Sequence, residues 1–237
     1  MSQTITLLPA AESIRQDWRL AAGLIDHTLL KPEATSQQVS TLCREAAEYG
    51  FFSVMVNASN IAQCKSELRG TPVVVGTVIG FPLGATTGTA KLAEATDALR
   101  LGATELDMVI NIGALKSGAR DLVQTEMRSL AQLAHGKGAL LKVIIETALL
   151  TTEEKLLVCQ LAVAAGVDFV KTSTGFASAG ATAADVALMR GVVGPSIGVK
   201  AAGGIRKAAD LLAMVEAGAN RAGASSSVAI VRELGAK

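Results

Sequence analysis

The sequence predicts a (β/α)8 TIM barrel, an α/β fold, with an extra N-terminal helical segment. Along the 237 residues, a short apolar run is followed again and again by a turn rich in Gly, Ser, Thr or Asn and then by a helical pattern. The apolar runs are nearly continuous, which is typical of parallel strands covered on both faces. Many of the runs end in a polar or charged residue, as expected where barrel strands reach an active site.

The predicted elements alternate along the whole chain. Strands are expected at 22–26, 51–56, 73–79, 104–110, 140–145, 168–171, 196–200 and 221–224. Helices are expected at 36–49, 60–68, 87–101, 117–135, 152–165, 182–190, 207–217 and 226–234. Residues 1–20, with Trp18, are predicted to form the extra helical segment, which covers the bottom of the barrel. Because no linker or low-complexity stretch divides the chain, 1–237 is predicted to be one domain.

Several helix ends carry recognisable signals. The segments 35–38 (TSQQ) and 151–154 (TTEE) fit the capping box, in which side chain and backbone satisfy each other's free donors. Left-handed C-caps are expected at the glycines that follow helices, Gly50, Gly102, Gly136, Gly166 and Gly218. A doubly wound open sheet is the alternative fold. It would need a phosphate-binding fingerprint after the first strand, and residues 26–30 (DHTLL) do not supply one.

Composition excludes several classes of function. The formal net charge is +1, which argues against binding nucleic acid through bulk charge. No signal peptide and no apolar stretch of transmembrane length are expected from the sequence. The three cysteines, Cys43, Cys64 and Cys159, lie far apart without metal-ligand spacing, which predicts reduced, packed thiols. The sequence therefore predicts a cytoplasmic protein that binds neither nucleic acid nor membrane.

Two lysines carry the strongest chemical signal. Lys171 and Lys200 each follow an apolar run and precede a turn rich in small residues. Burial and a second cation nearby both disfavour an ammonium group, so such a lysine becomes a free amine nearer neutral pH. A free amine attacks carbonyl carbons. The pair therefore indicates Schiff-base chemistry.

The alternation of side chains along a strand brings further charges into the same barrel mouth. Asp107 and Glu105 share one face of their strand, whereas the apolar residues between them must meet the helices. By the same argument Lys142 points inward, and we expect it to join Asp107 and the two lysines. The alternative is that these charges only pair with one another, Asp107 with a lysine and Glu105 with Lys142.

Turns after the predicted strands indicate a phosphate site. Loops after strands 7 and 8, together with a helix N-terminus, recur as phosphate sites in barrel enzymes. The candidate substrate- or phosphate-binding residues are Asp26, Thr174, Gly175, Gly203, Gly204, Ser225 and Ser226. For Asp26, which shares the inward face of its strand, two interpretations stay open: contact with a substrate hydroxyl, or membership of the charged network.

With these residues in place, the sequence closely resembles the deoxyribose-phosphate aldolase family, class I aldolases that act through a Schiff base. The resemblance runs from about residue 20 to the end of the chain. The matching segments are LIDHTLLK at 24–31, VIGFPLG at 78–84, ELDMVIN at 105–111, LKVIIET at 141–147, FVKTSTGF at 169–176, VK at 199–200 with GGIR at 203–206, and GASS at 223–226. Seven matches in order are far more specific than any one alone.

The resemblance implies reversible cleavage of 2-deoxy-D-ribose 5-phosphate to D-glyceraldehyde 3-phosphate and acetaldehyde, within deoxyribose phosphate catabolism. It implies Lys171 as the Schiff-base nucleophile, and Asp107 and Lys200 as the proton-handling pair. It also implies no metal, no organic cofactor, and a homodimer or higher homo-oligomer. Phe176 stands where some members carry a lysine near the phosphate, so affinity for phosphorylated substrate is expected to be lower. Another Schiff-base barrel aldolase and a non-catalytic sugar-phosphate-binding barrel remain as alternatives.

Overall fold

The computed structural model describes residues 9–237 and contains a closed barrel of eight parallel strands. Each strand pairs with the next one along the chain, and the last pairs with the first. The strands are β1 (Ile25–Leu29), β2 (Ser53–Val56), β3 (Val74–Ile79), β4 (Glu105–Val109), β5 (Leu140–Ile144), β6 (Phe169–Lys171), β7 (Gly198–Ala202) and β8 (Arg221–Ala224). The predicted fold class is therefore confirmed.

Helices surround the barrel and alternate with its strands. They are α1 (Ala11–Gln16), α2 (Trp18–Ala22), α3 (Ser36–Tyr49), α4 (Ile61–Glu67), α5 (Gly88–Leu101), α6 (Ile112–Lys116), α7 (Arg120–His135), α8 (Thr152–Ala165), α9 (Ala183–Val193), α10 (Ala208–Glu216) and α11 (Ser227–Glu233). Both predicted capping boxes form, at the starts of α3 and α8. Gly136 departs from prediction, because it has φ −63° and the left-handed residue of that turn is Gly138.

Three elements differ from the sequence prediction in position. The strand predicted at 196–200 is β7, which spans Gly198–Ala202, so Lys200 is its third residue and not its last. The first strand spans 25–29 rather than 22–26, because α2 continues to Ala22 and the chain becomes extended only afterwards. Asp26 is thus the second residue of β1 and not its last. The helix predicted at 117–135 is split into α6 and α7, since Gly118 adopts φ +78° between them and ends the first helix.

The outer faces of the strands form the hydrophobic core beneath the helices. Val54, Leu106 and Met108 are fully buried there, and each buried side chain of this size contributes about 1.5–3 kcal/mol. The N-terminal helical segment adds to this layer, with α1 against α10 and α2 against α11. The first eight residues of the predicted segment lie outside the described part. Within 9–237, the helices are all too short or too polar to span a bilayer.

Candidate active site

Lys171 and Lys200 lie side by side on adjacent strands. They are direct partners in the register of β6 and β7, so both side chains point to the inner face of the barrel. Asp107 reaches them from β4, and one oxygen of its carboxylate serves both. The Asp107 Oδ2 atom lies 2.8 Å from Lys171 Nζ and 2.7 Å from Lys200 Nζ. The structure thus brings together the three residues that the sequence singled out.

Further charged side chains fill the barrel interior below this group. Lys142 on β5 lies 2.8 Å from Asp107 and 2.6 Å from Glu105, so the predicted Glu105–Lys142 pair is present. Asp26 Oδ2 lies 2.5 Å from Lys200 Nζ, and Ser53 donates a hydrogen bond to its other oxygen at 2.7 Å. All of these groups are buried, so each charge depends on its neighbours.

The charges of the site shift one another's pKa values in opposite directions. Burial by itself would raise the pKa of Asp107, but Lys142, Lys171 and Lys200 outweigh it and hold the pKa well below its usual range. For Lys171, burial is the largest effect and lowers the pKa to about 8. Asp107 opposes that shift, whereas Lys200 and Lys142 add to it. A substantial fraction of the Lys171 side chain is therefore the free amine at mildly alkaline pH.

Small residues make room for these long side chains. A Cβ on Gly198 would lie 2.1 Å from the ring of Phe169, which fills the layer below Lys171 and Lys200. A Cβ on Gly223 would lie 3.3 Å from Cε of Lys200. Because such approaches are too close for most side chains, the two glycines set where Phe169 and Lys200 pack.

A cavity of about 380 Å³ opens above the charged group at the C-terminal ends of the strands. Lys171 lines it, whereas Asp107 and Lys200 are wholly buried and lie behind Lys171. Of the predicted substrate-binding residues, the lining includes Thr174, Gly175, Gly203, Gly204 and Ser225. Asp26 lies outside the lining, as one of the fully buried charges near the start of β1. Ser226 precedes α11 and is also absent from the lining.

The turn after Lys171 is held by a buried carboxylate. Glu146 follows β5 with φ +56°, a left-handed conformation that is uncommon for residues other than glycine. Its carboxylate accepts hydrogen bonds from the backbone N–H of Thr174, at 3.2 Å, and from the Thr174 hydroxyl. The Thr174 hydroxyl in turn accepts from the N–H of Phe176 at 3.0 Å. Glu146 thereby fixes the backbone that borders the cavity.

An aromatic pair lies at one edge of the cavity. Phe176 lines the cavity and is about half exposed (53%). Its ring meets that of Phe81 edge-to-face, with centroids 5.2 Å apart and planes at 89°. This geometry is favourable for two aromatic rings. An apolar surface therefore stands at a position where the resemblance would allow a lysine.

A larger groove, of about 940 Å³, lies away from these charges. It runs between the start of α5 and α7 and is lined by residues such as Thr87, Leu122 and Thr125. Glu126, at its edge, is engaged by Lys91 at 2.9 Å. The cavity at the barrel mouth is the smaller of the two, but it is the one that contains Lys171.

Sequence reasoning missed two residues of this site. Arg221 starts β8 and reaches Asp26 and Glu105 from below, with an N–O distance of 3.0 Å to each. The strand-parity argument used for Asp107 would have placed it inward, since Ala222 and Ala224 are the apolar residues of the outer face. Glu146 directly follows the strand predicted at 140–145, but its hydrogen bonds depend on a backbone conformation that the sequence does not indicate.

Comparison with known proteins places the chain among barrel aldolases. A deoxyribose-phosphate aldolase from Lysinibacillus sphaericus is 58% identical over 213 residues, which are 90% of this chain and 95% of the relative. A solved structure from Coccidioides immitis aligns with a TM-score of 0.89 and 43% identity, covering 98% of this chain and 91% of the other. A deoxyribose phosphate aldolase from Aeropyrum pernix, described as tetrameric, aligns with a TM-score of 0.86 and 36% identity, covering 94% and 97%.

The fold and the charged group at the barrel mouth define an enzyme of the (β/α)8-barrel class. The model of a protein family described as "DeoC/LacD family aldolase" matches residues 20–235, nearly the whole chain. The chain belongs to the DeoC/LacD family of aldolases. It is therefore a lyase.

Proposed function

We propose that this chain catalyses the reversible aldol cleavage of 2-deoxy-D-ribose 5-phosphate to D-glyceraldehyde 3-phosphate and acetaldehyde, with Lys171 as the Schiff-base nucleophile. The observation that carries the proposal is a lysine of lowered pKa at the floor of a barrel-mouth cavity. The names of the relatives from Lysinibacillus sphaericus and Aeropyrum pernix support the choice of substrate.

The proposed reaction begins when the neutral Lys171 amine attacks the aldehyde carbon of the open-chain sugar. The carbinolamine then takes up one proton and loses water to leave a protonated imine, which acts as an electron sink. Removal of the proton from the C3 hydroxyl then breaks the C2–C3 bond, and its electron pair moves into the imine to give an enamine. Glyceraldehyde 3-phosphate departs. Protonation of the enamine at C2 and hydrolysis of the imine release acetaldehyde and regenerate the amine.

Proton transfer in these steps falls to the groups next to Lys171. Asp107 Oδ2 accepts a hydrogen bond from Lys171 and another from Lys200, so a proton has a short route among the three groups. Because Asp107 and Lys200 lie behind Lys171, their exchange with substrate runs through the lysine nitrogen or a bound water. The protonated imine keeps a positive charge beside the Asp107 carboxylate, which favours its formation.

The far end of the substrate is proposed to bind at the turns after β7 and β8. Gly203 and Gly204 both have positive φ, +84° and +81°, which glycine adopts without steric cost. Successive backbone N–H groups in such a turn suit an anion, and Ser225 lines the same cavity. Arg206 lines it as well and adds positive charge for a phosphate.

The direct test is chemical trapping of the imine. We expect acetaldehyde and borohydride to attach a single two-carbon group to the protein, located on Lys171 by peptide mass spectrometry. The reason is that reduction converts the imine into a stable secondary amine. Lys171→Leu serves as the matched control and should take up no group at the corresponding peptide. An unchanged wild-type mass at saturating aldehyde would exclude the Schiff base and, with it, Lys171 as the nucleophile.

The pH dependence of the reaction follows from the pKa of Lys171. A pKa of about 8 means that the free amine appears well below the range of an ordinary lysine. We expect kcat/KM for deoxyribose 5-phosphate cleavage to rise about tenfold from pH 7 to pH 9, as the amine fraction grows from about one tenth to about nine tenths. Initial rates in buffers of constant ionic strength check this. A rise confined to pH values above 10 would contradict it.

Recognition of phosphate is tested by removing hydroxyl groups near α11. We expect the double variant Ser225→Ala/Ser226→Ala to reduce the kcat/KM preference for deoxyribose 5-phosphate over deoxyribose about tenfold, which equals about 1.4 kcal/mol. Activity toward unphosphorylated deoxyribose should change little, because the reacting atoms are untouched. If the ratio of the two kcat/KM values stays unchanged, whether or not both fall, these serines do not bind the phosphate.

The proposed chemistry requires neither a metal nor an organic cofactor, since the imine itself is the electron sink. We further infer that the chain forms a homo-oligomer, supported by the structure from Aeropyrum pernix that is described as tetrameric. Light scattering of the purified protein measures this assembly, and a mass of one chain, about 24.2 kDa, would contradict it.

A further inference from the structure

The charged side chains of the barrel interior form one closed network. Asp107 joins Lys171, Lys200 and Lys142, and Asp26 joins Lys200 to Arg221. Glu105 completes the ring by contacting both Arg221 and Lys142, at 3.0 and 2.6 Å. Along the inner face of the described strands, this network holds four basic groups against three carboxylates. With every group ionised, the network would carry a net charge of +1.

The four cations differ in how many carboxylates they contact. Lys142 lies within 4.0 Å of three of them, and Lys200 and Arg221 each contact two. Lys171 contacts Asp107 alone and shares that oxygen with Lys200. It is also the member of the network that lines the cavity. Lys171 is therefore the cation that the network holds least firmly.

Removing one proton balances the network at three positive and three negative charges. Because unpaired buried charge is costly, the balanced state is favoured, and Lys171 is the group that loses the proton. We propose that Glu105 and Arg221, which lie away from the cavity, are positioning residues for the reaction and set how readily Lys171 is deprotonated. This inference rests on the proposed function, in which the Lys171 amine attacks the substrate.

Other charged groups near Lys171 lie on the loops above the network. Glu146 from the end of β5 is engaged by Thr174, and Lys31 and Arg206 line the cavity with exposed side chains. The groups on the strands around Lys171 are Lys142, Lys200 and Asp107, all of them inside the network. Screening by water weakens the influence of the two exposed cations. The balance inside the barrel thus dominates the charge state of Lys171.

The test uses single charge changes at the two positioning residues. The readout is the pH midpoint of cyanoborohydride-trapped acetaldehyde on the Lys171 peptide, measured between pH 6 and 9.5. Glu105→Gln removes a negative charge and should shift the midpoint down by about one pH unit, since the ammonium loses a favourable interaction. Arg221→Met removes a positive charge and should shift it up by a similar amount. A merely structural role would not move the two midpoints in opposite directions.

Compensating and conservative variants complete the design. Glu105→Gln/Arg221→Met restores the balance and should return the midpoint to within a few tenths of a unit of wild type, while Arg221→Lys, which keeps its charge, should barely shift it. If Arg221→Met fails to fold, the near-isosteric Glu105→Gln decides alone: a downward shift supports the inference, and no shift or an upward one overturns it. Absence of any wild-type adduct overturns the proposed function and this inference together. A wild-type adduct with coincident midpoints in the variants overturns the inference alone.

Discussion

Lys171→Leu is expected to lower the turnover of deoxyribose 5-phosphate by about four orders of magnitude or more, because within residues 9–237 the other lysine that lines the cavity, Lys31, is an exposed side chain on the loop after β1 and not part of the charged group. Lys200 is its neighbour on β7 but is fully buried behind it and held by Asp107 and Asp26. Loss of a covalent nucleophile typically has an effect of this size or larger. Steady-state cleavage assays with a coupled aldehyde readout measure it.

The same substitution should leave the protein at least as stable as the wild type. Below pH 8 the folded protein holds a buried ammonium at Lys171 whose lowered pKa shows that the folded state disfavours it. Leucine removes that charge, and the remaining three cations balance the three carboxylates. Replacing a buried charge with an apolar group of similar volume often stabilises a protein by about 1–3 kcal/mol. Urea unfolding at pH 7 measures the difference.

Lys137→Leu provides a matched control for the nucleophile, because it changes an exposed lysine outside the site to the same residue. Its turnover should remain within about twofold of wild type, as expected for a surface substitution. Retention of more than about a hundredth of the wild-type activity in Lys171→Leu would refute the assignment of this lysine as the nucleophile.

Asp107→Asn is expected to reduce turnover by about three orders of magnitude and also to destabilise the fold. The carboxylate lies within 2.8 Å of three lysine nitrogens, so its loss leaves a surplus of positive charge in the barrel interior. Breaking a buried ion pair in this way costs about 3–5 kcal/mol. Activity falls because the proton route between Lys171 and Lys200 loses its shared acceptor. Lys171→Leu should therefore keep or raise the stability of the fold, and Asp107→Asn should lower it. Both variants should lower turnover.

The stability loss in Asp107→Asn should depend on pH with a definite sign. Because the folded-state pKa of Asp107 is depressed, its carboxylate stabilises the fold above the unfolded-state value of about 3.8 and loses that contribution as the pH falls further. The difference in the free energy of unfolding between wild type and Asp107→Asn should therefore be largest near pH 7 and shrink below about pH 4. The control is Asp97→Asn, which alters an exposed pair with Arg100 and should change the free energy of unfolding by less than about 0.5 kcal/mol. Equal losses in both variants would contradict the buried-network account.

Local sequence patterns predicted much of the site. Alternation along β4, β6 and β7 places Asp107, Lys171 and Lys200 on the inner face, and the adjacent apolar residues require the outer face to meet the helices. Side-chain alternation and the burial of apolar residues against the helices are both read from neighbouring residues in the chain. They therefore require only the fold class to be known. The matching segments added the family, which the comparisons confirmed.

Asp26 shows where local patterns stop being sufficient. The apolar run before it predicts a strand that ends there, which would place the carboxylate at the barrel mouth. In the structure β1 begins only at Ile25, and it is Thr28 that lines the cavity. The start of β1 is decided by α2 and by pairing with β8, where the N–H of Ala222 donates to the carbonyl of Leu24. The pairing with β8 joins residues about 200 positions apart, so no local window of sequence contains it.

The sequence by itself determined the repeating strand–helix units, the inward face of each strand and hence the two lysines with their aspartate. Tertiary structure alone decided the depth of each charge, the ring that Arg221 and Glu105 close beneath Lys142, and the hydrogen bonds of Glu146 to Thr174. The physical reason is that side-chain alternation is a property of a single strand. The position of each residue along the barrel axis, relative to residues of the other strands, is set by barrel closure and register. These depend on packing between distant parts of the chain.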